Sequence, residues 1–207
     1  MKRTLNIATL ILSIGALMAS CKETAEFDEF GNWQEVNEEY IDDIVLKCTP
    51  FIEKGITVEN ASKGDMFRLL SYQKDPESDK HGRNAYVYCE VIAEGEGSVS
   101  PNFTDSVWID YRSRLVPTVN YPDGKIMDQS YRTADVDRNQ NIPYPFVTSK
   151  LVIGVSTALM HMVPGDVWRL YIPYELAYGK KDYNGVPGYS TLIFDICLER
   201  FKPTMVE

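Results

Sequence analysis

The sequence has 207 residues, of which 44% are hydrophobic and 25% are charged, with a formal net charge of −9. This composition is that of a globular protein and excludes a disordered or fibrous chain. The acidic balance argues against nucleic acid as a partner, because nonspecific binding depends on Lys and Arg neutralising phosphates.

The first twenty residues have the pattern of a secretory signal peptide. Lys2 and Arg3 precede an apolar run over residues 7–18. The run is shorter than the roughly 20 residues that a spanning helix needs, so a permanent transmembrane anchor is the weaker interpretation. Residues 18–21 (MASC) resemble a bacterial lipobox, which would make Cys21 the lipidated first residue after cleavage. A plain signal peptide ending near a cysteine stays open, since the motif is short.

After cleavage at residue 20 we expect an acidic tether over residues 21–31 and a folded body that begins at residue 32. Asn32 can cap a helix, and Glu35 stands three residues further on. The apolar residues at helical spacing are Trp33, Val36, Tyr40, Ile41 and Ile44. This stripe predicts a helix that packs against the core.

The rest of the body is predicted to be rich in strands. Strands are expected over residues 66–73, 85–93, 107–116, 166–173 and 190–201, and a short helix over residues 155–162. In the fourth of these strands Trp168, Leu170 and Ile172 alternate with Val167, Arg169 and Tyr171. That alternation predicts an antiparallel strand with one buried and one exposed face.

The sequence does not predict a metal site or a disulfide framework. Beyond Cys21 it has Cys48, Cys89 and Cys197, an odd number without CxxC spacing, so a single disulfide among them stays open. Residues 133–141 (TADVDRNQN) alternate like the start of a calcium loop. Gln140 stands where such a loop requires Gly, so we do not expect calcium there.

Residues 163–201 resemble the C-terminal half of an FKBP-type peptidyl-prolyl cis-trans isomerase. The matching segments are residues 168–173 (WRLYIP), 176–179 (LAYG) and 190–195 (STLIFD), in the family's order and spacing. Two looser matches lie upstream, at residues 124–131 (GKIMDQSY) and 151–154 (LVIG). The resemblance implies an FKBP-like domain over residues 102–207 and leaves residues 32–101 as an unassigned N-terminal extension of a helix and strands. The implied fold is α+β, with a twisted antiparallel β-sheet wrapped over one short α-helix.

The resemblance implies prolyl isomerisation without a cofactor or metal, on proline-containing polypeptides. Rotation about an X-Pro bond needs no nucleophile, only an apolar pocket and a few donors that favour the twisted amide. By resemblance, the Tyr178 hydroxyl and the Val152 N–H would be the donors, and Asp128 would orient the substrate. The residues implied as pocket walls are Tyr111, Met127, Val155, Tyr183 and Phe194. Taken singly, Val152, Tyr111 and Phe194 are core or sheet residues by default, so only the joint pattern predicts a site.

Three positions depart from the family pattern. Val155 stands where many members have a Trp floor, Met127 replaces a Phe, and residues 186–188 are one residue shorter than usual. Loss of a flat aromatic surface predicts a wider or shallower pocket. The alternative function is therefore a noncatalytic FKBP-like lipoprotein that binds polypeptides. In either case we expect a cell-envelope protein that a lipid on Cys21 holds at a membrane, with the outer membrane preferred.

Overall fold

The computed structural model describes residues 28–133 and 140–204. The predicted signal peptide, Cys21 and most of the predicted tether lie outside these residues, as does most of the loop that was weighed for calcium. The described elements are helices α1 (Trp33–Glu53) and α2 (Ile153–Leu159) and strands β1 (Met66–Leu70), β2 (Tyr86–Ala93), β3 (Ser106–Leu115), β4 (Ile126–Gln129), β5 (Tyr144–Val147), β6 (Val167–Ile172) and β7 (Leu192–Lys202).

All seven strands belong to one antiparallel sheet. Its order is β1-β2-β6-β7-β3-β4, and β5 pairs with the first half of β3, beyond the end of β4. Strands β1 and β2 come from the N-terminal extension, and they join the C-terminal strands through the pairing of β2 with β6. The predicted α+β class, with an antiparallel sheet and a short helix, is confirmed, and the extension contributes one edge of the same sheet.

Helix α2 packs on one face of the sheet and forms the larger core with it. Val155 and Leu159 lie in the same buried cluster as Trp168, Leu170 and other strand residues. The helix approaches β6 so closely that a Cβ on Gly154 would lie 2.4 Å from Ile172 Cγ2. Only glycine fits at this position without displacing the helix or the strand.

Helix α1 covers part of the opposite face, and this corrects the expectation of a half-buried β6. Tyr171 was assigned to the exposed side but is 9% exposed, because Ile41, Ile44 and Cys48 of α1 pack in the same cluster.

The apolar stripe of α1 also differs from its prediction at one position. Val36 is 39% exposed, and the buried positions are Trp33, Asn37, Ile41, Ile44 and Cys48. Asn32 precedes the helix as predicted, but its side chain makes no capping hydrogen bond.

The three cysteines of the described residues are buried thiols. Cys48, Cys89 and Cys197 therefore serve as small packing groups, and the disulfide that the sequence left open does not form among them. In residues 28–133 and 140–204, no helix is both long and apolar enough to cross a membrane.

Candidate functional site

A pocket of about 280 Å³ opens between β3, β5, β7, the start of α2 and the segment that follows β6. Its walls are mainly aromatic and aliphatic. The lining residues are Ile109, Tyr111, Ser113, Asp128, Phe146, Lys150, Leu151, Val152, Val155, Tyr178, Tyr183 and Phe194. The structure thus brings seven of the eight residues that the sequence singled out to one cavity.

Met127 is the eighth, and it lies beside the main pocket. It lines an adjoining cleft of about 220 Å³ that shares Asp128, Tyr178, Tyr183 and Phe194 with the main pocket. The register of β3 against β4 shifts next to it, between Ser113 and Arg114. Such a bulge re-aims side chains on a strand, and Met127 packs against the core at this point.

The pairing of β3 with β4 places a carboxylate against a phenol at the pocket wall. Asp128 is opposite Ser113 in the register, and the Ser113 hydroxyl donates to the Asp128 carbonyl over 3.2 Å. The Tyr111 hydroxyl donates to Asp128 Oδ2 over 2.7 Å. Asp128 is therefore held as an oriented acceptor at the edge of an apolar cavity.

Two stacked tyrosines form the opposite side of the mouth. The rings of Tyr178 and Tyr183 lie 4.6 Å apart with an angle of 19° between their planes. Tyr178 is 39% exposed, and its hydroxyl makes no hydrogen bond to any residue in the described ranges. This hydroxyl is a free donor next to the cavity.

The start of α2 supplies a second free donor. Val152 immediately precedes the helix in an extended conformation, and its N–H donates to no acceptor in the part of the chain that the structure describes. The Ser156 hydroxyl donates to the Thr148 carbonyl over 2.7 Å, which ties the helix to the preceding turn. Val152 is thereby fixed at the pocket wall with its amide hydrogen unpaired.

The surroundings of Tyr111 and Tyr178, two of the three tyrosines that line the pocket, favour the protonated phenol. Burial raises the pKa of Tyr178, and the nearby Tyr183 and Asp128 raise it further. Burial also raises the pKa of Tyr111, and its hydrogen bond to Asp128 adds to the shift. At neutral pH both hydroxyls therefore remain hydrogen-bond donors.

At the position where many family members have a Trp, this pocket is lined by the aliphatic side chain of Val155. Val155 lines the cavity but is 1% exposed, because most of its surface packs into the core. Aromatic surface comes from the side, where the Phe146 ring lies 5.8 Å from that of Tyr111 at 72°. The sequence did not predict Phe146, Ile109 or Leu151 as pocket residues.

The pocket has no metal-binding arrangement. Across the described residues, no group of three or more His, Cys, Asp or Glu side chains is placed to hold a metal ion. The chemistry available is that of an apolar cavity with an oriented carboxylate, three phenols and an unpaired backbone N–H.

Comparison with known proteins gives the family. Residues 97–199 match the sequence profile described as FKBP-type peptidyl-prolyl cis-trans isomerase. A macrophage infectivity potentiator from Trypanosoma cruzi is 34% identical over 136 residues, which are 65% of this chain and 63% of that protein. An outer membrane protein MIP from Legionella longbeachae is 30% identical over 145 residues, 70% of this chain and 55% of that protein.

A crystal structure of FkpA from Escherichia coli is also similar. It is 28% identical in sequence with a TM-score of 0.48, and the match covers 82% of this chain and 64% of that one. The chain therefore spans less than two thirds of the length of each of these relatives. Through residues 97–199, the chain belongs to the FKBP-type peptidyl-prolyl cis-trans isomerase family.

Proposed function

We propose that the protein is a peptidyl-prolyl cis-trans isomerase that assists the folding of extracytoplasmic proteins by binding X-Pro segments in the pocket. The single observation that carries this proposal is the combination of an aromatic cavity with two unpaired donors, the Tyr178 hydroxyl and the Val152 N–H. The family membership supports the same reaction. Donors and an apolar wall are what the isomerisation of a tertiary amide requires.

The mechanism follows from the resonance of the amide. Planarity of the X-Pro bond makes uncatalysed isomerisation take tens to hundreds of seconds. An apolar cavity strips water from the proline ring. Hydrogen bonds from Tyr178 and Val152 would favour the twisted form if their directions suit the bound segment best when its carbonyl has left the amide plane. Asp128, held by Tyr111, orients the substrate at the pocket edge. No bond is made or broken, so the chemistry calls for no cofactor.

The test is an isomerisation assay on the chain that starts at Cys21, with a proline peptide followed from cis to trans. We expect catalysis above the uncatalysed rate, and we expect Tyr178→Phe and Asp128→Val each to lower kcat/KM by about 10-fold. Tyr121→Phe is the matched control, since Tyr121 is an exposed tyrosine outside the pocket. Wild type that only reproduces the uncatalysed rate would remove the enzyme assignment.

The second candidate is a noncatalytic polypeptide-binding module, and Val155 is the observation that favours it. A valine floor offers less flat surface to the proline ring than an aromatic one, so the pocket holds the ring less tightly. In this case proline peptides bind in the pocket without faster exchange between isomers. Peptide affinity measured beside the rate separates the two functions.

We further propose that the protein acts in the cell envelope, attached through a lipid on Cys21, with the outer membrane preferred. The signal-peptide pattern, the MASC motif and the similarity to a protein named outer membrane protein MIP support this location. Substitution Cys21→Ala should release the protein from the membrane fraction. Unchanged membrane association would contradict lipid attachment at Cys21.

A further inference from the structure

The first turns of α1 bond directly to the pocket loop, which we define as residues 178–191. Trp33 Nε1 donates to Ser190 Oγ over 2.7 Å. The Thr191 N–H donates to Asn37 Oδ1 over 2.7 Å. All four residues are buried, so water does not compete for these bonds.

These contacts also fix one another. Asn37 Nδ2 donates to the Trp33 carbonyl over 2.6 Å, which sets the orientation of the Asn37 amide so that Oδ1 faces Thr191. Ser190 Oγ accepts from Trp33 and donates to the Pro187 carbonyl over 2.6 Å. The indole N–H thus holds the hydroxyl that closes the end of the pocket loop.

A continuous set of contacts leads from this end of the loop to its tyrosines. The Tyr189 N–H donates to the Gly179 carbonyl over 2.9 Å. Tyr183 and Val186 exchange two backbone hydrogen bonds of 2.9 Å each. The Tyr183 ring stacks on Tyr178. A displacement near Ser190 would therefore move both tyrosines at the mouth of the pocket.

Packing supports the same link. Val186 of the pocket loop lies in the same buried cluster as Trp33. Phe30 packs edge-on against the Trp33 ring, with centroids 4.9 Å apart. The N-terminal side of α1 thus covers the inner side of the loop. Neither Trp33 nor Asn37 lines the main pocket or its adjoining cleft, so any influence on the site passes through the loop.

We propose that Trp33 and Asn37 are positioning residues that hold the pocket loop in the geometry that binds X-Pro segments. This inference rests on the proposed isomerase function. It gives a role to α1, which precedes the residues 97–199 that match the family. The N-terminal helix is then part of the binding machinery of this chain.

The experiment uses two variants of the chain that starts at Cys21. Trp33→Phe keeps an aromatic ring but removes the N–H donor, and Asn37→Leu removes the acceptor for Thr191. Ile44→Val is the control, because Ile44 packs α1 against the sheet far along the helix from the pocket loop. The readouts are kcat/KM on a proline peptide and hydrogen exchange at the amides of Tyr183 and Val186.

Each of the two variants should lower kcat/KM by about 5-fold, the effect of one lost buried hydrogen bond, and speed exchange at both amides. Ile44→Val should leave both readouts at wild-type values even where its loss of global stability is similar. Ser190→Ala also removes the bond to the Pro187 carbonyl, so it should lower kcat/KM at least as much as Trp33→Phe. The double variant should lose no more than Ser190→Ala alone, since that substitution already removes the bond to Trp33.

Wild-type kcat/KM and loop exchange in Trp33→Phe and Asn37→Leu would overturn the inference, and so would an equal loss in Ile44→Val. The inference and the proposed function fail in distinguishable ways. A wild-type protein without isomerase activity removes the proposed function. Affinity for the proline peptide and loop exchange then still decide whether Trp33 and Asn37 position the loop.

Discussion

The two faces of the sheet are covered by helices of different length, and the aromatic pocket lies on the face that the shorter helix covers. On one face the seven-residue α2 packs against β6 and leaves the space beside β3 and β5 to the pocket. On the other face the 21-residue α1 packs along β1, β2 and β6, with Tyr40 and Tyr171 in contact. A short helix on a wide sheet leaves apolar surface uncovered, and that surface lines the pocket that we propose as the binding site.

The polar groups of the two faces differ in the same way. On the pocket face the Tyr178 hydroxyl and the Val152 N–H have no partner in the described residues, which leaves them available to a ligand. On the α1 face Asp195 bonds both Arg114 and Arg169 at 2.5 Å. The buried charges of the α1 face are therefore paired, whereas the pocket face leaves two donors available to the proposed ligand. Four substitutions or conditions test this difference.

The largest expected effect is on the α1 face. Ile44 is 1% exposed, and Ile44→Ala should lower the free energy of unfolding by about 3 kcal/mol through the cavity that it leaves. Leu46→Ala is the matched control on the same helix, because Leu46 is 69% exposed. Urea unfolding should show a single transition at lower denaturant concentration for Ile44→Ala. Loss of α1 alone, with the sheet transition unchanged, would separate α1 from the cooperative unit.

The second prediction concerns the ion triad of Asp195, Arg114 and Arg169. Asp195→Ala removes the carboxylate that bonds both Arg114 and Arg169 in a mostly buried position, and should lower the free energy of unfolding by about 3 kcal/mol. Asp42→Ala breaks the ion pair between Asp42 and Arg83. The Asp42 side chain is 58% exposed, so this substitution should lower the free energy of unfolding by less than about 1 kcal/mol. Thermal unfolding of both variants gives the comparison. Equal losses of stability in the two variants would show that burial does not increase the contribution of the ion triad to stability.

Alkaline pH should weaken the α1 face through its buried tyrosines. Burial raises the pKa of Tyr88 to about 12, above the unfolded value near 10. Its contribution is therefore fully present below pH 10 and is lost as pH rises from 10 to 12, by about 3 kcal/mol in total. Unfolding free energies at successive pH values should fall over this range, and less steeply in Tyr88→Phe. The same slope in both proteins would contradict this assignment.

The smallest effect concerns the pocket face and should appear in activity with little change in stability. Tyr111→Phe removes the hydrogen bond to Asp128 and should lower kcat/KM by about 5-fold through loss of carboxylate orientation. The half-buried ring remains, so the unfolding midpoint should stay close to that of wild type. A variant that keeps full activity would show that the contact between Tyr111 and Asp128 does not serve the site.

Much of the fold followed from the sequence because its strands and helices have clear periodicity. Trp168, Leu170 and Ile172 predict one buried face of β6, and the structure places all three in the core. The burial of Tyr171 could not be predicted from β6 itself, since the partner that covers it comes from residues more than a hundred positions away. The prediction that Val36 is buried was wrong for a related reason. Helical spacing alone places Val36 in the apolar stripe, but the sheet lies where it does not cover this residue.

Pocket residues that lie in recognisable sequence motifs could be predicted. Those that reach the pocket only through the pairing of distant strands could not. Tyr178 and Asp128 stood in recognisable segments, and the structure brings them to one cavity. Phe146 joins them only because β5 pairs with the first half of β3, which no local pattern specifies. The contact of Trp33 with Ser190 joins residues 157 positions apart, so the helical stripe could show that Trp33 is buried but not what it bonds.

The most direct test of the central claim is an NMR titration of the protein with a proline peptide, with peptide and amide signals followed together. The account predicts faster cis-trans exchange in the peptide, together with shifts of the Val152 amide and of amides in the pocket loop. Shifts confined to the face that α1 covers, or binding at the pocket without any increase in the exchange rate, would contradict it.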